Sequence, residues 1–175
     1  MIDSKTYDVF LSYAHKDVDG HPEREHYLRA LKDGIERLAG KPLVFLDSES
    51  IQPGETWNSK IMIGIHSCRV FLCLLSRNYL NSEYCKREYL WWCQKELRQG
   101  RLRKMTLPVY YVQFPEDLED VAASSRMADE LLAFQVGGDA RPWFGEGENS
   151  FKEEIVRERL EDVIRRTDGF LAADK

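Results

Sequence analysis

The sequence predicts an α/β fold in which helices cover both faces of a parallel sheet. Short β-rich runs alternate with helical segments, strand first, and the helices are long enough to serve as crossovers. The third run, residues 69–75, is apolar at every position after Arg69 and shows no alternation, which is typical of a strand covered on both faces. These observations indicate a doubly wound α/β domain.

The predicted elements follow in a regular order. The first helix carries an apolar stripe that includes Tyr27, Leu31 and Ile35, and Gly40 ends it. Pro108 indicates an early or edge position for the fourth strand. Strands are predicted over residues 7–13, 43–46, 69–75 and 106–112, with a fifth near Phe134 or Trp143. Helices are predicted over residues 23–38, 57–65, 82–99, 115–132 and 151–168. A capping box at residues 150–153 opens the last helix.

Length and composition describe one ordinary globular domain. The 175 residues suffice for a single domain, predicted over residues 1–175 with its core between 6 and 167, either a whole protein or a module of a larger one. Hydrophobic residues make up 43% and charged residues 31%, as in folded globular chains. The cysteines at 68, 73, 85 and 93 lie in apolar segments, which predicts reduced core thiols and a cytoplasmic location.

Charge and hydropathy argue against two classes of partner. The chain carries 25 basic and 30 acidic residues, a net charge of -5, which gives no electrostatic footprint for nucleic acid. No apolar stretch is long enough to cross a bilayer, and no signal-peptide core follows the N-terminus. We therefore expect no direct contact with nucleic acid or membrane.

Several functions common among doubly wound proteins lack their motifs. No G-x-G-x-x-G follows the first strand, and neither G-x-x-x-x-G-K-[ST] nor G-x-S-x-G occurs, which argues against oxidoreductases, P-loop enzymes and serine hydrolases. Ser76 stands where a phospho-receiver needs an aspartate. His21 and His26 lack metal-ligand spacing, so we expect neither a metal nor a cofactor.

Two glutamates on the predicted helix 82–99 have different surroundings. Glu83 has Arg87 at i+4, the favourable order for a surface ion pair. Glu88 has only uncharged residues one turn away, namely Tyr84, Cys85, Trp91 and Trp92. Such surroundings raise the pKa of a carboxyl group and mark Glu88 as a candidate site residue; the alternative is a pair with a distant arginine or lysine.

Polar residues end three predicted strands at the sheet edge where ligands bind in this fold class: residues 12–16, Asp47, and residues 76–77. A lone carboxylate in an aromatic cleft, here Glu88, suits cleavage of a glycosidic bond whose leaving group needs no proton. In NAD+ the nicotinamide leaves neutral from a cationic state, so a carboxylate has only to stabilise oxocarbenium character and hold ribose hydroxyls. His15 or Lys16 can meet the pyrophosphate.

Four motifs, in this order, resemble those of the TIR (Toll/interleukin-1 receptor/resistance protein) domain family. They are DVFLSY at 8–13, FLD at 45–47 with IQPGETW at 51–57, VFLCLLS at 70–76, and S-x-Y-C-x-x-E at 82–88. The resemblance covers roughly residues 6–100 well and the remainder loosely. Within the family, the chain resembles the NAD+-cleaving branch, and residues 13–17 resemble those of bacterial members.

The resemblance implies a flavodoxin-like three-layer sandwich whose five parallel strands run in the order 2-1-3-4-5. It also implies an NAD+ glycohydrolase that releases nicotinamide and ADP-ribose, or a cyclic isomer, in defence (such as antiphage defence) or cell death. Other TIR domains are the implied partners, through residues 48–54. The implied catalytic residue is Glu88, and the implied substrate-binding residues are Phe10, Ser12, His15, Lys16, Asp47, Trp57 and Tyr84, with Tyr84 where the family usually has tryptophan.

Structural interpretations stand beside these roles. Phe10 can be a core residue, Ser12 a turn cap and Asp47 an anchor for the following loop. His15 and Lys16 can be freely solvated. For the whole chain, the alternative is an adaptor that signals only by homotypic TIR binding, for which the glutamate is dispensable.

Overall fold

The fold is built on a five-stranded parallel sheet. The computed structural model describes residues 7–46, 56–101, 104–110, 126–132 and 138–139, together with positions 165, 169 and 172. The strands are β1 (Val9–Ser12), β2 (Val44–Phe45), β3 (Val70–Leu75), β4 (Thr106–Tyr110) and β5 (Gly138–Asp139), in the sheet order β2-β1-β3-β4-β5. All neighbouring strands are parallel, so the predicted fold class and strand order are confirmed.

Helices connect the strands, and their ends follow local sequence signals. They are α1 (Pro22–Ala39), α2 (Trp57–Ser67), α3 (Arg77–Asn81), α4 (Glu83–Arg98) and α5 (Arg126–Leu132), and a 3-10 turn spans His15–Asp17. Gly40 ends α1 with a left-handed φ of 70°. Ser76 and Ser82 cap α3 and α4 by accepting backbone N–H groups. Within the described ranges, no helix combines the length and apolarity that a bilayer crossing requires.

Two sequence predictions need correction, and three others fall wholly or partly outside the described ranges. The fifth strand lies at residues 138–139, between the two predicted positions, because so short a strand is defined by its pairing with β4 rather than by its own pattern. The edge position suggested by Pro108 is wrong, since β4 pairs with β3 on one side and β5 on the other. Residues 48–54, 115–125 and 151–164 lie outside the described structure.

An aromatic ladder crosses the sheet on the face that carries α2 and α4. Phe45, Phe10 and Phe71 are register partners on β2, β1 and β3, and their rings stack at centroid distances of 5.1 and 5.6 Å. Trp92 of α4 extends the ladder by stacking on Phe71 at 5.3 Å. A Cβ at Gly64 would lie 3.0 Å from the Phe45 ring, so glycine permits the close approach of α2.

The cysteines are free thiols, as predicted. Cys68, Cys73 and Cys85 are buried, and Cys93 is half-buried. Burial raises the pKa of the Cys68 thiol to about 12, and it also raises the pKa of Cys73. Both thiols therefore stay protonated and act as small core residues.

Candidate functional site

A cavity of about 640 Å³ opens at the carboxyl ends of β1 and β3. The chain leaves these two strands to opposite sides, toward β2 and toward β4, so the cavity lies at the switch point where doubly wound sheets bind ligands. Its walls come from the 3-10 turn after β1, the first residue of α2, the region of α3, and the first turns of α4. The volume falls in the range of small-molecule sites.

Glu88 lines this cavity although its side chain is almost completely buried, with a relative exposure of 4%. Its Oε2 accepts a hydrogen bond of 2.6 Å from the hydroxyl of Ser12, the last residue of β1. The Ser12 hydroxyl lies 2.9 Å from the hydroxyl of Tyr79 in α3. Three elements thus meet at the Glu88 carboxylate through Ser12, and Ser12 contacts side chains rather than capping a turn.

Glu83 serves a different purpose, as predicted, but through another partner. Its carboxylate pairs with Lys86 at 2.8 Å, and this pair lowers the pKa of Glu83. The predicted partner Arg87 instead lies over the Tyr84 ring, 5.7 Å from its centroid, and donates to Asn58 at 3.4 Å. The charge of Arg87 still contributes, after that of Lys86, to the lowered pKa of Glu83.

An aromatic pair forms one wall of the cavity. Trp57, the first residue of α2, meets the Tyr84 ring edge to face, with centroids 4.7 Å apart and an interplanar angle of 77°. Tyr84 is 58% exposed and Trp57 is half-buried, so both rings have surface available to a ligand. Flat aromatic faces of this kind stack well on planar ring systems.

A short basic segment forms the opposite wall. His15 and Lys16 are exposed on the 3-10 turn and line the cavity, and the His15 ring stacks on Tyr13 at 5.0 Å. The turn is anchored by the buried Asp17, whose carboxylate accepts hydrogen bonds from the Ser76 hydroxyl and, at 2.7 Å, from the Asn78 amide. The hydrogen bonds of Asp17 therefore hold the turn that carries His15 and Lys16.

Of the predicted substrate contacts that the structure describes, Phe10 and Ser12 do not line this cavity, although Ser12 reaches Glu88. Phe10 lies two residues before Ser12 in β1, on the same face of the strand. It is 1% exposed and is stacked between Phe45 and Phe71. It is a core residue beneath the site and does not line the cavity. Asp47 lies outside the described residues.

Sequence reasoning missed several polar contributors. Asn78, Asn81 and Ser82 also line the cavity, and Tyr79 stands behind it. They belong to or flank α3, which is too short to produce a helical period. Their position directly after β3, at the edge of the sheet where ligands bind, is the signal that could have found them.

Comparison with known proteins assigns the family. A model of the TIR domain matches residues 9–131. A probable 2' cyclic ADP-D-ribose synthase, BdTIR, from Brachypodium distachyon is 30% identical over 112 residues, which are 64% of this chain and 44% of that protein. Toll-like receptor 4 from Pinctada imbricata is 31% identical over 99 residues, 57% of this chain and 9% of the receptor. The chain thus spans less than half the length of these curated relatives.

Solved structures agree on the fold. The TIR domains of the activated Roq1 resistosome, which directly recognises the pathogen effector XopQ, align with a TM-score of 0.51 and 17% sequence identity, covering 93% of this chain and 84% of that one. The family model also includes β1, the cavity and Glu88. With this match over most of its length, the chain belongs to the TIR domain family.

Proposed function

We propose that this chain is an NAD+ glycohydrolase with Glu88 as its catalytic carboxylate. The observation that carries the proposal is the position of Glu88, a buried acid that lines a cavity of ligand size and accepts a 2.6 Å hydrogen bond from Ser12. The plant relative is named a probable cyclic ADP-ribose synthase, and ADP-ribose is the part of NAD+ that remains when nicotinamide leaves. The name therefore supports NAD+ as the substrate.

The reaction needs little more than a fixed negative charge. The bond between ribose C1′ and the pyridinium nitrogen breaks, and its electron pair stays on the nitrogen, so nicotinamide leaves neutral and no general acid is required. The ribose acquires oxocarbenium character, which the Glu88 carboxylate stabilises. Water then adds to C1′ to give ADP-ribose and releases a proton that Glu88 can accept. A nucleophilic group of the substrate itself, either a nitrogen of the adenine base or a ribose hydroxyl that loses its proton, can take the place of water and give a cyclic isomer.

The remaining cavity residues suit the other parts of the dinucleotide. Trp57 and Tyr84 offer faces on which the flat rings can stack, with their centroids 4.7 Å apart. Lys16, and His15 when protonated, can bind the pyrophosphate at the opposite wall. Asp47 stays a predicted contact to the substrate, and no cofactor or metal is needed for this chemistry.

The direct test is release of nicotinamide from NAD+. We expect the wild-type chain to release it and Glu88→Gln to do so at least about a hundredfold more slowly, because the amide cannot offset developing positive charge. Glu130→Gln is the matched control. Glu130 also accepts a hydroxyl hydrogen bond, from Tyr89 at 3.1 Å, but it does not line the cavity. Equal rates for wild type and Glu88→Gln would refute the role of the carboxylate.

The second candidate is an adaptor that acts by homotypic TIR binding without catalysis. Exposed apolar side chains favour it: Ile63 on α2 is 60% exposed, and Leu90 and Leu97 on α4 are 58% and 64% exposed. The match to a Toll-like receptor is compatible with the same role. A wild-type chain that binds another copy of itself, but releases no nicotinamide at any protein concentration, would favour the adaptor.

We further propose that the enzyme is activated by self-association through residues 48–54. The segment ends just before α2, whose first residue, Trp57, lines the cavity. Contact between copies at this segment would therefore act directly on the wall of the site.

A further inference from the structure

Tyr79 links two buried carboxylates, those of Glu88 and Asp17. Its side chain is fully buried, and its hydroxyl lies 2.9 Å from the hydroxyl of Ser12, which contacts Glu88. Its backbone N–H donates at 2.9 Å to the hydroxyl of Ser76, which donates in turn to Asp17. Each carboxylate is thus reached from Tyr79 through one serine.

The direction of the hydrogen bonds around Ser12 follows from proton counting. An ionised Glu88 can only accept, so the single Ser12 proton is donated to Oε2 over the 2.6 Å contact. The Tyr79 hydroxyl must then donate to Ser12. Burial raises the pKa of Tyr79 well above its ordinary value, so this donor keeps its proton. The chain runs in one direction, from Tyr79 to Ser12 to Glu88.

We propose that Tyr79 is a positioning residue that fixes the catalytic carboxylate through Ser12. A serine hydroxyl can rotate about its Cβ–Oγ bond, and the hydrogen bond that Ser12 donates to Glu88 restricts this rotation. The proton of Tyr79, donated to the same oxygen, adds a second restraint. Ser12 then has one orientation, and its proton points at Oε2 of Glu88. Successive hydrogen bonds of this kind also strengthen one another. The inference rests on the proposed glycohydrolase function and extends it to a residue behind the cavity.

The test measures steady-state nicotinamide release by wild type, Tyr79→Phe, Ser12→Ala and the double variant. Phenylalanine keeps the ring and removes only the hydroxyl, so we expect kcat to fall about twofold to tenfold while KM stays within about twofold. Ser12→Ala removes the donor to Glu88 and lowers kcat by about tenfold or more. In the Ser12→Ala background, Tyr79→Phe should change kcat by less than about twofold, because its route to Glu88 is already broken.

Tyr89→Phe is the matched control on α4. It removes the hydroxyl of another buried ring, one that donates to Glu130, and should leave kcat unchanged even where unfolding by urea shows a similar loss of stability. An active wild type whose Tyr79→Phe variant keeps full kcat would overturn the role of Tyr79. So would the same factor of loss in both backgrounds, since it would indicate a general structural effect. A wild type without activity would instead refute the proposed function, and the positioning role with it.

Discussion

Tyr84 illustrates how one side chain can be exposed and still belong to a site. It extends from the first turn of α4 to the cavity mouth, and more than half of its surface is open. Its contacts are the edge-to-face pair with Trp57 and the guanidinium of Arg87 above the ring. Little of the core depends on it, so a substitution there reports on binding more than on folding.

We expect Tyr84→Ala to raise KM for NAD+ by about twofold to tenfold, with a small change in kcat, because one aromatic stacking contact contributes about 0.5–1.5 kcal/mol. Tyr84→Trp should keep KM at or below the wild-type value. Leu90→Ala is the control, since Leu90 lies on the same helix with the same 58% exposure but does not line the cavity. A wild-type KM for Tyr84→Ala would mean that the ring does not contact the substrate.

The sequence identified Glu88 as the unusual acid but could not identify its partners. Its apolar neighbours along the helix were readable from spacing alone. Ser12 lies 76 residues away in the chain and Tyr79 belongs to a different helix, so their contacts with the site arise only when β1 packs between β2 and β3. Spacing within one helix carries no information about such contacts.

At the scale of elements, Asp8 joins the beginnings of three strands. Its backbone N–H donates to Leu43 before β2, and its carbonyl accepts from Arg69 and Val70 at the start of β3. Its carboxylate pairs at 3.0 Å with both Lys41 and Arg69. Partial burial raises the pKa of Asp8, but the hydrogen bonds and charges of the two cations outweigh burial and hold it below 3.8.

Because the pKa of Asp8 is lower in the folded state than in the unfolded state, its ion pairs stabilise the fold at any pH above the unfolded-state pKa. This contribution to the free energy of unfolding is lost as the pH falls through the folded-state pKa. At neutral pH, Asp8→Asn should reduce the free energy of unfolding by about 1 kcal/mol, as expected for partly exposed ion pairs. The difference from wild type should shrink as pH falls below 3.8. Urea unfolding across this range is the measurement, with the exposed Asp33→Asn as control. A difference that stays constant down to low pH would contradict the linkage.

Long elements were predictable, but two of the short ones were not. The apolar stripe of α1 and the unbroken run of β3 each supply enough residues for a period or a pattern to appear. The five-residue α3 and the two-residue β5 do not, and each is defined by a cap or by strand pairing. Several of the cavity residues missed by the sequence belong to or flank α3 for this reason.

At the scale of the whole molecule, activation by self-association predicts activity that depends on concentration. Nicotinamide released per unit of protein should increase as the wild-type chain becomes more concentrated and should reach a plateau. At a dilute wild-type concentration, an excess of Glu88→Gln should raise the activity, because the variant can supply residues 48–54 but not the carboxylate. Specific activity that stays constant over the dilution series, with no response to the added variant, would contradict activation by self-association.

The parallel sheet was predictable because alternating strands and crossover helices allow few arrangements, while its strand order came from the resemblance to the TIR family. The cavity position followed from the rule that such sheets bind ligands at the carboxyl ends of their strands, here β1 and β3. For Phe10 the sequence left two interpretations open, a substrate contact and a core residue, because a strand covered on both faces does not show which residue reaches its end. The ladder of stacked rings confirms the core interpretation, and Ser12 is the β1 residue that contacts Glu88.

The ring contact between Trp57 and Tyr84 gives the molecule a built-in optical reporter. An indole at the mouth of a cavity changes its emission when a neighbouring ring shifts or when bound ligand replaces water around it. Trp91 and Trp92 on α4 do not line the cavity and should respond less. If Glu88→Gln slows turnover as proposed, titrating this variant with dinucleotide while following its intrinsic fluorescence would therefore record occupancy with little interference from turnover.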